Sequence, residues 1–324
     1  MDQILQNAIK RAEEQRKPLD LVPWTVDEAY PQAIYEFDAK SSSWKESTTI
    51  TTTTTSPTTT TTTTTKVGID RIALFSWNID FMLPFPTSRM KSALGHLHDH
   101  HISSLLPSSS STAVVVFFQE WVFRVHFDKT GMERDGLFVD VIVPVQGKEK
   151  GKVVRLVNAH LESLAIDPPF RPAQMELIAR FMKDGNGNGD GDGDVEGAAA
   201  VVAGDFNAIQ PFDRTLHVEN GLRDAFLDLG GKEDCEEGYT WGQQAATDLR
   251  NRFGCSRMDK VFYCGDGVDV ERFERFGEGV EVEDEREKEE IRNLGFEKGW
   301  ITDHLGVFAE IVLRKGEEEE EAKS

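Results

Sequence analysis

Acidic, amide and imidazole side chains recur at one kind of place in this chain, the end of an apolar, β-branched run. IALFSWN ends in Asn78, with Asp80 two residues on; AVVVFFQE ends in Glu120; VVRLVNAHLES carries His160, Glu162 and Ser163. AAVVAGDFN ends in Asp205 and Asn207, RMDKVFY opens beside Asp259, and ITDHLGVF opens with Asp303 and His304. Glu120 is the hardest to dismiss, because a buried carboxylate is costly without positive charge and turn chemistry does not ask for Glu. If these strand ends converge, their negative excess demands a hard cation with oxygen ligands, Mg²⁺ or Mn²⁺ rather than Zn²⁺. Phosphodiester hydrolysis uses the same inventory: a metal to neutralise phosphate charge, a carboxylate to orient or deprotonate water, and donors for the transition-state oxygens. Each residue also has a plainer reading. Asp or Asn beside Gly is a common turn former, and a lone His304 is equally a satisfied histidine at a strand start. No nucleophile elbow, Gly-rich phosphate loop or Cys-nucleophile motif competes.

Strands must position these groups, and the pattern supplies them. IALFSWN, AVVVFFQE, LFVDVIVPV, KVVRLVNAHL, AAAVVAGDFN, MDKVFY and LGVFAEIVL read as strands, alternating with loops and helical patterns. Ser88 or Thr87 is expected to cap a helix through Met90, Leu94 and Leu97, and Pro172 to open another whose Ala173, Leu177 and Phe181 share a face. Residues 2–17 suit a helix, and 18–47 carry scattered aromatics (Trp24, Tyr30, Tyr35, Phe37, Trp44). Residues 1–46 thus form a partly helical N-terminal segment, 47–66 a disordered Thr-rich linker, 67–314 the folded domain and 315–324 an acidic disordered tail. Between Glu120 and Val122 no turn residue separates two strand-like runs. DGNGNGDGDGD, 184–194, starts like a calcium loop but has Val195 where the twelfth-position Glu is required, so it reads as a flexible loop.

The totals bound the answer. The 324 residues with 39% hydrophobic content suffice for a sizeable core. No apolar run spans a bilayer and the first residues lack a secretory pattern, which makes an intracellular protein the expectation. Cys235, Cys255 and Cys264 lack metal-ligand spacing and read as reduced thiols. A net charge of −21 speaks against coating nucleic acid through phosphates, but much of it lies in 278–290 and 317–321, expected as solvated loops. A nuclease gripping a chain end through a metal remains compatible with that charge.

Taken in chain order, SWN (76–78), FQE (118–120), AHLES (159–163), GDFN (204–207), RMDKVF (257–262) and TDH (302–304) resemble the motifs of the endonuclease/exonuclease/phosphatase superfamily of metal-dependent phosphodiesterases. SWNID, HLES, GDFN, YTW (239–241) and TDHLG together resemble its tyrosyl-DNA phosphodiesterase 2 branch, which frees 5′ DNA ends from topoisomerase tyrosine in DNA repair. The resemblance implies an α+β fold, a four-layer αββα sandwich of two mixed, mainly antiparallel β-sheets flanked by helices. It implies Mg²⁺, with Mn²⁺ as an alternative, held by Glu120 with Asp80 helping. Asp205 would activate water and Asn207 orient it; His304, held by Asp259, would stabilise charge. Asn78 and His160 would contact phosphate, Glu162 and Ser163 would lie on the substrate side, and Trp241 would stack on a base. The implied partners are single-stranded or end-frayed DNA 5′ ends, with no membrane and no obligate protein partner, in nucleus or cytoplasm.

Three departures accompany the resemblance. Relatives carry several tens of residues after the Q-E strand where Glu120 here runs straight into Trp121, so one helix and one or two strands are expected to be missing. Ala208 and Ile209 stand where the branch usually offers an Arg, and Thr302 replaces the usual Ser. Other members, of RNA deadenylase, inositol phosphatase or sphingomyelinase type, would share the core, and a truncated, non-catalytic remnant that binds partners is the alternative from another class.

Overall fold

A computed structural model describes residues 28–30, 35–38, 43–46, 69–80, 83–105, 111–118, 124–127, 130–132, 134–143, 152–163, 165, 168–183 and 199–314. Seven strands make the larger sheet, in the order β1 (Ala29–Tyr30), β6 (Arg124–His126), β7 (Asp135–Val143), β8 (Lys152–His160), β9 (Ala199–Asp205), β11 (Asp259–Cys264) and β10 (Arg223–Asp224). Four make the second, β12 (Val268–Phe276), β13 (Gly306–Leu313), β4 (Arg71–Trp77) and β5 (Thr112–Phe118), while β2 (Tyr35–Asp38) pairs with β3 (Ser43–Glu46). Only β4–β5 and β8–β9 are parallel among these pairs, so both large sheets are mixed and mainly antiparallel.

Side-chain alternation explains the layers. Along β4, Ile72 and Leu74 join Val201, Ala203, Val307 and Ile311 in a core between the sheets, while Ala73, Phe75 and Trp77 point to the opposite face. β9 divides likewise, Val201 and Ala203 inward and Ala200 and Val202 outward. Both outer faces are covered. The helix Arg171–Lys183 lays Met175, Ile178 and Met182 on the larger sheet; Pro86–Leu97 and Glu285–Asn293 lay Ala93, Leu97 and Ile291 on the smaller. The result is the four-layer αββα sandwich. Strands buried on both faces need apolar residues at every position, which is why IALFSW and AAVVA read as continuous runs. Each such Val, Leu or Ile contributes roughly 1.5–3 kcal/mol of burial.

Several details differ from the sequence expectations. Neither Ser88 nor Thr87 caps the first long helix: Pro86 takes its first turn behind Phe85 in the left-handed region, and the Ser88 hydroxyl donates to Glu287 instead. Its buried face is Arg89, Ala93 and Leu97, with Leu94 50% exposed, because the Arg89 guanidinium binds the carbonyls of Leu83, Pro84 and Ile301 and pulls that face inward. On the second helix Ala173 and Phe181 are half-buried and Met175, Ile178 and Met182 hold the centre of the buried face. The acidic stretch 278–290 is not all loop. Asp284 accepts from the amides of Arg286 and Glu287 to cap the helix Glu285–Asn293, Glu285 and Glu287 suit its positive end, and Ile291 anchors it. The charged strand β12 lies outside the apolar runs of the sequence, since its Glu and Arg side chains alternate with a narrow apolar face.

The two apolar runs flanking Glu120 belong to different sheets. β5 is an edge strand of the four-stranded sheet, hydrogen-bonded to β4 on one side, and β6 lies in the seven-stranded sheet between β1 and β7. Residues 119–123, which join them, lie outside the described residues, as do 1–27, the Thr tract, 184–198 and 315–324.

Candidate active site

Strand register assembles the cluster. Asp205, the last residue of β9, pairs with His160 at the end of parallel β8 and with Asp259 at the start of antiparallel β11. On the other sheet, Asn78 follows the end of β4 and His304 precedes the start of β13, at the same edge. The gap closes at hydrogen-bond range: Asn78 Nδ2 donates to Asp205 Oδ2 at 3.0 Å, and His304 Nδ1 lies 2.7 Å from Asp259 Oδ2. His160 Nε2 and His304 Nε2 stand 3.5 and 3.7 Å from the same Asp205 oxygen. One carboxylate oxygen thus faces three nitrogen-bearing side chains.

Local chemistry holds each group. Gly204 has φ +148°, and a Cβ there would lie 1.9 Å from the Ala159 carbonyl oxygen, so the residue before Asp205 must be glycine for β8 and β9 to approach. Asp205 Oδ1 accepts the Asn207 amide at 2.8 Å; Asn207 sits at φ 45°, tolerated by Asn, and its Nδ2 donates to Leu161 O. The Thr302 hydroxyl donates to Asn78 O and accepts the His304 amide, tying the end of β4 to the segment that leads into β13. Thr240 Oγ1 accepts the Met258 and Asp259 amides, and Arg257, buried against Asp224 and Glu233, fixes the start of β11. Trp241, half-buried beside the cluster, donates from Nε1 to Asp303 Oδ2 at 2.7 Å.

Burial and neighbours set opposite charge states on the two imidazoles. Burial opposes charge on His304, but Asp259, Asp205 and Asp303 outweigh it and hold its pKa well above the ordinary value. Burial pushes the Asp259 carboxyl up to about 6, with His304 and Thr240 pulling it back, so the proton they share sits on the ring at neutral pH. His160 is driven down to about 3, mainly by burial, with Arg134 and His304 adding to it. Burial would raise Asp205, yet His304, His160, the Asn207 amide and Arg134 together hold it below its ordinary value. At pH 7 the cluster is an ionised Asp205 between an imidazolium and a neutral imidazole.

Other residues of the sequence reading have different neighbours. The Glu162 carboxylate accepts from Thr130 Oγ1 and the amides of Gly131 and Met132, anchoring that loop, with Oε1 buried and unpartnered. Ser163 Oγ lies 3.5 Å from Arg134 Nη2 and donates to the Met132 sulfur. Arg134 was not singled out from sequence. It is partly buried, acts on Asp205, Glu162 and Asp135, and its Nε is buried without a partner. A lone Arg in a polar loop carries no pattern; the Ser163 hydroxyl three residues past the end of β8 is the one hint of where it would land.

For a divalent cation the donor set matters. Asp205, Asp259 and His304 offer ligand atoms within 4.8 Å of one another, but their oxygens already face N–H groups. Further carboxylates act on the same region: Asp80 and Asp303 both act on Arg89, whose own N–H groups are taken by backbone carbonyls, and Asp303, which accepts from Trp241 at Oδ2, has its Oδ1 buried without a hydrogen bond. That acidic excess fits a hard cation. Glu120 lies outside the described residues, two positions beyond Phe118, which pairs with Trp77.

The profile of the Endonuclease/Exonuclease/phosphatase family matches residues 75–304, from within β4 to His304. The chain belongs to this family. Among solved structures, TDP2 from D. rerio carrying 14 humanizing mutations is 17% identical, over 74% of this chain and 98% of that one, at TM-score 0.48. Truncated TDP2 from Caenorhabditis elegans is 19% identical over 75% and 97%, at 0.47, and an endonuclease/exonuclease/phosphatase family protein from Bacteroides thetaiotaomicron is 15% identical over 75% and 98%, at 0.46. Similarity at this level decides no substrate. A sequence comparison with curated proteins returns no match. As a family member the chain has the fold of a hydrolase of phosphate esters, and no helix among its described residues is long and apolar enough to cross a membrane.

Proposed function

We propose that this protein is a Mg²⁺-dependent phosphodiesterase that hydrolyses 5′-tyrosyl or otherwise blocked 5′ DNA ends. The observation that carries the proposal is the placement of Asp205 Oδ2 among Asn78, His160 and His304, with His304 held by Asp259. A water in that space meets an ionised carboxylate able to accept its proton, fixed in orientation through Asn207. The His304 imidazolium and the Asn78 amide supply donors for phosphate oxygens as charge builds on them. Arg134 adds a cation that acts on Asp205. In the reaction water attacks phosphorus, the bond to the tyrosine oxygen breaks, the phenol departs and the 5′-phosphate stays on DNA.

Glu120 and Asp80 are the residues that would hold the cation, which when bound neutralises phosphate charge. Trp241 beside His304 offers a face on which a base stacks. The DNA-end reading is supported by the set SWNID, HLES, GDFN, YTW and TDHLG. Purified protein with Mg²⁺ and a single-stranded 5′-phosphotyrosyl oligonucleotide should release tyrosine. Absence of product, or equal product from Asp205→Ala, overturns the reading; faster turnover of poly(A) RNA, an inositol phosphate or sphingomyelin redirects it within the family.

A further inference from the structure

A second histidine cluster lies behind the wall of this site. The helix Pro86–Leu97 continues into a π-helical turn, His98–Ile102, and the junction reads GHLHDHH from Gly95 to His101. His96 and His100 have ring centroids 4.9 Å apart, and His96 and His101 5.3 Å. Two imidazoles sharing one tetrahedral ion through metal–nitrogen bonds of about 2.0–2.1 Å place their centroids about 5 Å apart. Both pairs meet that spacing, with His96 common to them.

The π turn is what gathers them. In a regular α-helix His101 would be rotated about 140° from His96 and leave its face. Closing hydrogen bonds five residues apart, as the Ser103 amide does to His98 O, brings the fifth residue back over the first. His100 and His101 line a cavity of about 80 Å³ with Phe75, Phe308, Arg272 and Glu274, larger than one water's share of liquid volume. The charge in it is balanced, since the Arg272 guanidinium is held on Glu274 at 2.6 Å.

We propose that His96, His100 and His101 form a binding site for a borderline-soft divalent transition metal, with Zn²⁺ the best match to an all-imidazole set. Ligation requires neutral rings, and burial together with His101 and His100 drives His96 down to about 4 while burial and His100 lower His101. His96 Nε2 is buried without a hydrogen-bond partner, an unspent lone pair or proton beside the cluster. Among the described residues, ligand atoms of three residues converge within 4.8 Å at the Asp205 site and not yet here, so binding requires one ring to swing; His100 is exposed and free to change rotamer. His98, turned to Asp99 at 2.8 Å and exposed, stays outside the set.

The inference is independent of the proposed substrate and is tested without it. In excess Mg²⁺, Zn²⁺ is titrated into the full chain against a chromophoric chelator, comparing wild type with His100→Ala, His98→Ala and Asp205→Ala. The expected result is one low-micromolar Zn²⁺ per chain, weakened at least tenfold by His100→Ala and unchanged by the other two. Retained binding in His100→Ala, loss in Asp205→Ala, or no saturable binding in wild type each overturns it. Circular dichroism shows whether His100→Ala stays folded; since His100 is exposed, the fold is expected to hold.

Discussion

His304 and His96 are the same side chain on opposite sides of Trp77, and their charge states are opposed. The Trp77 indole donates Nε1–H to His304 O at 3.3 Å and meets the His96 ring edge-on at 5.8 Å. Three carboxylates outweigh burial at His304 and hold it protonated; at His96 burial, joined by His101 and His100, drives the pKa down to about 4. Burial disfavours charge at both, so the identity of the neighbours decides the sign. One environment leaves a charged donor, the other a buried ring nitrogen without a hydrogen-bond partner.

The sharpest test of the first environment removes the carboxylate at its centre. Asp205→Ala should lower kcat for the 5′-phosphotyrosyl oligonucleotide by about 10³–10⁴-fold, measured at saturating substrate and Mg²⁺. Asp259→Asn turns the surroundings of His304 toward those of His96. It should lower kcat by about 10²–10³-fold and move the alkaline limb of the pH–rate profile to lower pH, because the imidazolium loses its nearest anion. An alkaline limb that stays in place would break the assignment of the proton to His304.

Stability against pH separates the imidazoles again. His160, at about 3 in the fold against about 6.5 unfolded, takes up a proton on unfolding below pH 6.5, so stability falls as pH drops from 6.5 toward 3. With its ring partly exposed, we expect a loss on the order of 3 kcal/mol, read from urea midpoints at each pH. His304 acts in reverse: its raised pKa contributes stability that is full below pH 6.5 and is lost as pH rises through the folded value. The same series with His160→Gln should flatten the acid side and leave the alkaline side as it was. The smallest effect on the charge of His304 is expected from Trp77→Phe, which removes the donor to His304 O and leaves a cavity in a fully buried site; it should cost about 2–4 kcal/mol of stability and leave His304 charged.

The polar strand ends were legible because strands buried on both faces leave no ordinary place for Asn78, His160, Asp205 or Asp259. GDFN was legible for a second reason, the close approach of β8 that excludes any Cβ at position 204. Arg134 was not, since its role depends on loop 130–132 being pinned by Glu162 across the fold. The buried face of the first helix departs from the apolar pattern of Met90 and Leu94 because the Arg89 guanidinium, satisfying three carbonyls, turns inward.

By itself the sequence determined which side chains stand at strand ends, that these strands are covered on both faces, and the family to which the chain belongs, because apolar periodicity and polar interruption are local properties. The tertiary structure decided who faces whom: the pairing of His160 and Asp259 with Asp205, the employment of Glu162 on a loop, and the meeting of His96 with His101 across a π turn. Charge state follows from those encounters, and a linear pattern holds no information about distances across two sheets.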